Sequence, residues 1–143
     1  MPFDPFLTAT ELARHIGSGE ISSVEPTQAM LDRIDLLDGH LKSYATLMAD
    51  RAMAAAERAD QESAAGTSRG PLHGAPIAVK DLCFTKAVRT MGGSGALADH
   101  TPDFDGTAVA NLDAAGAVLL GKLNLTEGAM GGYHPNFDAP VNP

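Results

Sequence analysis

One apolar stretch that ends in a charged pair decides the fold of this 143-residue chain: Gly74-Ala75-Pro76-Ile77-Ala78-Val79-Lys80-Asp81-Leu82. A short apolar run of this length, bounded by glycine and proline, predicts a buried β-strand. Burial disfavours the charged form of an amine, so we expect Lys80 to have a lowered pKa and to be able to serve as a general base. Two structural alternatives stay open for Lys80: an ion pair with a buried carboxylate, or a side chain that reaches water from the strand end.

A second strand follows at a distance that fits a crossover helix. The pattern predicts a helix over residues 106–115 with Val109 and Leu112 facing inward, then a buried strand over residues 117–121. A glycine-rich loop at residues 92–95 separates the helix from the first strand. Two nearly continuous apolar strands joined by a helix predict a parallel pair that is covered on both faces.

The first third of the chain is predicted to be mainly helical. A first helix is capped by Thr8 or Thr10, and a second begins at Ser22 or Ser23 and ends at Gly39. A weak strand over residues 44–48 and an alanine-rich helix over residues 49–65 follow. We divide the chain at the loop of residues 66–71 into a helical arm (1–69) and the first part of an α/β core (70–143).

Composition excludes several classes of protein. A hydrophobic content of 44% with 20% charged residues is typical of a globular domain. The net charge of −8 argues against direct binding to nucleic acid or to an anionic membrane surface. Cys83 is the only cysteine, so no internal disulfide or multi-cysteine metal site is expected. The segment Met1–Pro5 lacks the basic start and apolar run of a secretion signal, and a cytoplasmic protein without a cofactor is the default expectation.

Further motifs occur in a characteristic order. The set comprises Gly70 through Asp81, Thr90 with Gly93-Ser94, Ala114 through Ala117, Gly121-Lys122-Leu123-Asn124, Glu127, Met130-Gly131 and Asn142-Pro143. Together with an opening that runs from Glu11 to Ser23, this ordered set resembles the amidase signature family of serine amidohydrolases over essentially the whole chain.

The resemblance implies a mixed, largely parallel sheet flanked by helices, and a Ser–cis-Ser–Lys triad in which Lys80 is the lysine. In that family the two serines lie in a glycine- and serine-rich segment just after the Asn-Pro pair, which this chain reaches at Asn142-Pro143. We therefore expect residues 1–143 to be inactive alone and to need the remainder of the amidase fold as a partner. The resemblance also implies a small-molecule amide as substrate, and it leaves a homodimer open for the intact protein.

Departures from the family pattern bear on the substrate. Leu123 stands where threonine is common, and Gly128 replaces a common aromatic residue, which should loosen the wall beside the site. The resemblance makes Ala129, Met130 and Gly131 candidates for the substrate pocket. Core packing is the alternative role for Met130.

Other groupings of reactive residues suggest different chemistry. Ser94 could act as a nucleophile paired directly with Lys80, or it could simply cap the turn after a glycine loop. The spacing of the loop does not fit a dinucleotide-binding motif. We expect no metal site at His100, which lies among three aspartates in a polar loop. We also expect Cys83 to be a small apolar residue and His73 to be a turn residue.

Three functions share these motifs. The favoured one is an amidase. A close variant is the amide-transferring subunit of a tRNA amidotransferase. The third is a non-catalytic module that binds a partner through an unpaired sheet edge.

Overall fold

A computed structural model describes residues 3–143 as a mixed α/β structure. Met1 and Pro2, the start of the segment considered above for a secretion signal, lie outside the described residues. The elements in chain order are α1 (Ala9–Gly17), α2 (Val24–Leu41), β1 (Tyr44–Leu47), α3 (Ala49–Ala64), β2 (Pro76–Lys80), α4 (Thr107–Ala114) and β3 (Val118–Leu123). Single 3-10 turns occur at Gly95–Leu97 and Glu127–Ala129.

The three strands form one mixed sheet in the order β1-β3-β2. β2 and β3 are parallel, as their apolar sequences predict, whereas β1 runs antiparallel to β3. The parallel ladder contains an irregularity, because Ile77 pairs with Leu119 and the next residue, Ala78, pairs with Gly121. Leu120 is therefore an extra residue in β3, and beyond it Lys122 pairs with Val79.

Side chains from both faces of the central strand β3 enter the core. Val118 and Leu120 pack with Leu31 of α2 and with the alanines of α3. On the other face, Leu119 packs with Val79 and with Val109 of α4. This two-sided burial explains why β3 is apolar throughout its first half, and it confirms the inward position predicted for Val109.

The first two helices begin as their sequences predict. Thr8 caps α1, because its hydroxyl accepts the Glu11 N–H and the Glu11 carboxylate in turn accepts the Thr8 N–H. Ser22 and Glu25 make the same reciprocal bonds at the start of α2. The predicted end of α2 at Gly39 is wrong.

The helix α2 continues to Leu41, and its left-handed cap is Lys42, with φ of 56°. The Asp38 carboxylate accepts the N–H groups of Ser43 and Tyr44 just beyond this cap. These bonds compensate for the strain of a non-glycine residue with positive φ at Lys42, and they hold the start of β1.

The helical arm and the α/β core share one packing unit. β1, which belongs to the arm, pairs with β3, and the buried alanines Ala52 and Ala56 of α3 pack on the same strand. The division of the chain into two domains at residues 66–71 therefore stays a prediction. Among residues 3–143, no helix is both long and apolar enough to cross a bilayer.

Candidate active site

The carboxyl ends of β2 and β3 lie side by side and define the candidate site. Lys80 is the last residue of β2 and pairs with Leu123, the last residue of β3. In α/β proteins with parallel strands, ligands bind at this end of the sheet. The topology therefore places Lys80 where a catalytic group is expected.

Lys80 is exposed within the described residues, so the expectation that it is buried is wrong for this part of the chain. The physical reason is the position of β2, which is an edge strand, and of Lys80, which is its terminal residue. Only Val79 in this strand is fully buried. Residues 3–143 thus do not provide the desolvation that a neutral lysine requires.

The buried lysine of this structure is Lys122, which is 0% exposed. Its Nζ donates to Thr90 Oγ1 at 2.7 Å and lies 3.5 Å from Asp81 Oδ1. Asp81 is also 0% exposed, and its Oδ2 accepts the Met91 N–H at 2.9 Å. We call Asp81, Thr90 and Lys122 the buried polar cluster. The alternative considered for Lys80, an ion pair with a buried carboxylate, is thus the arrangement of Lys122.

Burial shifts both ionisable groups of this cluster toward their neutral forms. Burial raises the pKa of Asp81, although the Met91 N–H and the ammonium of Lys122 act in the opposite direction. Burial lowers the pKa of Lys122, and the carboxylate of Asp81 opposes that shift. Among residues 3–143, Asp81 Oδ1 makes no hydrogen bond, so the ion pair compensates the cost of burial incompletely.

The glycine loop connects the end of β2 to the segment that follows β3. The Gly92 N–H donates to the Asp81 carbonyl oxygen, and the Gly92 carbonyl oxygen accepts the Gly128 N–H at 2.8 Å. Gly92 and Gly93 both have φ in the left-handed region, at 61° and 67°. Positive φ at both residues and the close approach of the Leu125 backbone to Gly93 explain why glycine occupies these positions.

Replacing Gly93 with alanine should detach this loop, because the new Cβ would lie 2.7 Å from the Leu125 carbonyl oxygen. Gly92→Ala is the matched control, since its φ is similar but no atom lies within 4 Å of the new Cβ. Both variants carry backbone strain of about 1–2 kcal/mol. Gly93→Ala should lose roughly 1–3 kcal/mol more in free energy of unfolding, measured by urea denaturation. Equal losses in the two variants would contradict the close approach.

Ser94 does not contact the lysines. It precedes the 3-10 turn at Gly95–Leu97, but its side chain makes no capping hydrogen bond, so that predicted role is wrong. Lys122 Nζ is directed to Thr90 instead. The structure therefore gives the pairing of Ser94 with Lys80 no support.

The substrate-pocket candidates lie on the surface beyond the glycine loop. Ala129, Met130 and Gly131 are all exposed, and Met130 is 94% exposed, so core packing is wrong for Met130 in the described chain. The segment is held by bonds from the N–H groups of Met130 and Gly131 to the Glu127 carbonyl oxygen. Its role as a wall of the substrate site stays a prediction.

A cavity of about 360 Å³ opens beside the carboxyl end of β3. Its lining residues are Tyr44, Ala45, Arg89, Met91, Asn124 and the segment 135–138. Arg89 donates to the Ala45 carbonyl oxygen at 2.8 Å, and Asn124 donates to the Asp138 carbonyl oxygen at 2.7 Å. Neither Lys80 nor the pocket candidates line this cavity.

The remaining candidate residues, His73, Cys83 and His100, contact the backbone or apolar side chains. His73 is buried and its Nε2 lies 3.1 Å from the Ala59 carbonyl oxygen. Cys83 packs against the core cluster around Val109, and the His100 ring contacts the Phe84 ring. Across residues 3–143, no group of three histidine, cysteine or acidic side chains is placed to hold a metal ion.

The buried polar cluster is the feature that the sequence patterns did not single out. A signal was present, because Lys122 follows the apolar run of β3 as Lys80 follows that of β2. The register that separates the two lysines depends on the extra residue at Leu120. Gly121, next to the irregularity, is a residue that often marks a bulge within a strand, but it does not give the register.

Known proteins that resemble this chain give a consistent assignment. The family model "Amidase" matches residues 25–143. The chain is 50% identical over 137 residues to a putative amidase, AmiD, of Mycobacterium tuberculosis, in an alignment that covers 96% of this chain and 29% of the relative. It is 47% identical over 139 residues to a glutamyl-tRNA(Gln) amidotransferase subunit of Geobacter sulfurreducens, with coverage of 96% and 28%.

Solved structures share the fold. The native peptide amidase of Stenotrophomonas maltophilia superposes with a TM-score of 0.79 at 39% identity, over 85% of this chain and 25% of that chain. A fatty acid amide hydrolase gives a TM-score of 0.79 at 33% identity, over 85% and 21%. The chain thus spans less than a third of the length of these relatives. The order of motifs, the mixed sheet and these similarities agree, and the chain belongs to the Amidase family.

Proposed function

We propose that this chain provides the lysine of an amidase that hydrolyses carbon–nitrogen amide bonds with a Ser–cis-Ser–Lys triad. The observation that carries the proposal is the position of Lys80 at the carboxyl end of a parallel strand, in a chain that belongs to the Amidase family. We use the term proposed intact enzyme for residues 1–143 together with the polypeptide that carries the two serines. On this proposal it is a cytoplasmic enzyme that acts on a small-molecule amide.

In the proposed reaction, the neutral amine of Lys80 accepts a proton from the bridging serine, which accepts one from the nucleophilic serine. The nucleophilic oxygen then attacks the amide carbonyl carbon. The carbon–nitrogen bond breaks as the proton on Lys80 returns, through the bridging serine, to the leaving amine. Water hydrolyses the resulting ester and regenerates both serines and the neutral lysine.

This mechanism places a requirement on the proposed intact enzyme. A general base must be able to accept a proton, and burial favours the neutral form of an amine. Because Lys80 is exposed among residues 3–143, the serine-bearing polypeptide must also cover its side chain. The open carboxyl end of β2 offers the surface on which that polypeptide would pack.

The segment after β3 supports a wide acyl-side channel. Among residues 3–143, a Cβ built on Gly128 would meet no atom within 4 Å, so this part of the chain does not fill the position beside it. Ala129, Met130 and Gly131 extend from this point with exposed side chains and backbone. We assign them to the substrate wall on this basis.

An amide-transferring subunit of a tRNA amidotransferase is the second candidate. The similarity to such a protein, at 47% identity, is nearly that to the putative amidase, at 50%. Both activities use the same motifs, and the departures from the family pattern at Leu123 and Gly128 favour the general amidase. Among residues 3–143, β2 pairs with β3 alone and leaves its other edge open. A non-catalytic module that binds a partner through this edge is the third interpretation, and the experiments distinguish it from an enzyme.

The experiment that tests the proposal is competitive labelling of lysines with acetic anhydride, read by mass spectrometry. Lys80 and the exposed Lys86 should label to similar extents in residues 1–143 alone. In the proposed intact enzyme, Lys80 should reach half of its maximal labelling at a lower pH than Lys86, because the neutral amine is the form that reacts and burial favours that form. The same pH dependence of labelling for the two lysines in the proposed intact enzyme would contradict the role of Lys80 as a base.

A further inference from the structure

Asp81, the residue after Lys80, is fixed through its backbone and its side chain. Its N–H donates to the Leu123 carbonyl oxygen at 2.9 Å, and its carbonyl oxygen accepts the Gly92 N–H at 3.1 Å. Its carboxylate accepts the Met91 N–H and faces the ammonium of Lys122. These contacts fix the end of β2, and with it the point from which the Lys80 side chain extends.

The same contacts hold both parts of the candidate site. Gly92, bonded to Asp81, also accepts the Gly128 N–H, and Gly128 begins the segment of the substrate-pocket candidates. Lys122 stabilises the Asp81 carboxylate and holds Thr90 at the start of the glycine loop. One buried cluster thus connects the proposed base to the proposed substrate wall.

We propose that Asp81 and Lys122 are positioning residues for the amidase reaction, and that they act by holding the Met91–Gly92 backbone against the end of β2. The inference rests on the proposed role of Lys80. The hydrogen bond from the Met91 N–H to the Asp81 carboxylate positions the Met91–Gly92 backbone. The positive charge of Lys122 compensates for the burial of that carboxylate. A displacement of about 1 Å in a catalytic group can lower the rate by about a hundredfold.

Four variants of the proposed intact enzyme separate positioning from folding. Lys122→Met removes the compensating charge, and Lys86→Met is its exposed control. The double variant Asp81→Asn with Lys122→Met keeps an oxygen that accepts the Met91 N–H and removes both charges. The double variant Asp81→Ala with Lys122→Met removes that oxygen as well. The neutral pairs leave no isolated buried charge, so both double variants are expected to fold.

The variants are expected to differ from one another in kcat and to have nearly the same KM. Lys122→Met should lower kcat by about tenfold to a hundredfold, while Lys86→Met stays within twofold of the wild type. The Asn-containing double variant should recover most of the lost kcat, and the Ala-containing one should not. Amide exchange of Met91 and Gly92 should be fast in the Ala-containing variant and slow in the Asn-containing one.

Two outcomes would overturn the inference alone, and a third would overturn the proposed function as well. Equal kcat in the two double variants would show that the bond from Met91 does not position the site. Loss of activity in Lys80→Ala together with wild-type kcat in Lys122→Met would overturn the inference alone. Full activity in Lys80→Ala would overturn the proposed function, and the inference with it.

Discussion

Lys122→Met is expected to lower the free energy of unfolding of this chain by about 3–5 kcal/mol, because it leaves the Asp81 carboxylate buried without its counter-charge. Such a loss is large beside the total stability of an ordinary domain, which is roughly 5–15 kcal/mol. Both side chains are 0% exposed, so water cannot replace the lost partner. Urea denaturation at pH 7 measures the effect.

Removing both charges should lower the free energy of unfolding far less than removing one. Asp81→Asn with Lys122→Met is expected to stay within about 1 kcal/mol of the wild type, since neutral replacements of buried ion pairs are often tolerated. Lys86→Met, at an exposed position, should change stability by less than about 0.5 kcal/mol. A loss in Lys122→Met as small as that in Lys86→Met would contradict the buried ion pair.

The signs of the pKa shifts agree with this expectation. The raised pKa of Asp81 means that its contribution to stability falls as the pH rises from the unfolded value to the folded value. The lowered pKa of Lys122 means that its contribution is regained only as the pH rises toward the unfolded value. At neutral pH the folded state therefore carries the free-energy cost of burying both Asp81 and Lys122. Neutral replacements of the two side chains remove that cost.

Much of the architecture could be predicted from local sequence patterns. The capping residues at Thr8, the alanine-rich helix α3 and the parallel pair of β2 and β3 follow from short-range rules, and the structure has all three. The end of α2 could not be predicted in this way. Gly39 is the better left-handed residue, but the N–H groups of Ser43 and Tyr44 donate to the Asp38 carboxylate just beyond the cap at Lys42.

The identity of the buried lysine depends on tertiary structure. Lys80 and Lys122 each follow an apolar run, but the motifs indicated only Lys80 as a candidate. β3 is the central strand and β2 lies at an edge, so the lysine of β3 is covered and the lysine of β2 is exposed. The extra residue at Leu120 then pairs Lys122 with Val79, whose next-but-one neighbour is Asp81. Strand order and register are long-range properties that residue patterns do not contain.

The candidate site was predictable in part. The position of Lys80 at a strand end and the glycine loop follow from the motifs, and the structure places them next to each other. The buried polar cluster required the three-dimensional structure, because Thr90 and Lys122 are 32 residues apart in sequence. The exposure of Lys80 also required that structure, because it depends on the edge position of β2.

The decisive test of the proposed mechanism is the rate of amide hydrolysis after Lys80→Ala, with Lys86→Ala as the matched control. In the proposed intact enzyme, Lys80→Ala should lower kcat/KM by about 10²–10⁴-fold, the usual contribution of a general base, and Lys86→Ala should leave it unchanged. Residues 1–143 alone should show no turnover of a simple amide. Wild-type kcat/KM in Lys80→Ala, or turnover by residues 1–143 alone that Lys80→Ala abolishes, would contradict the mechanism.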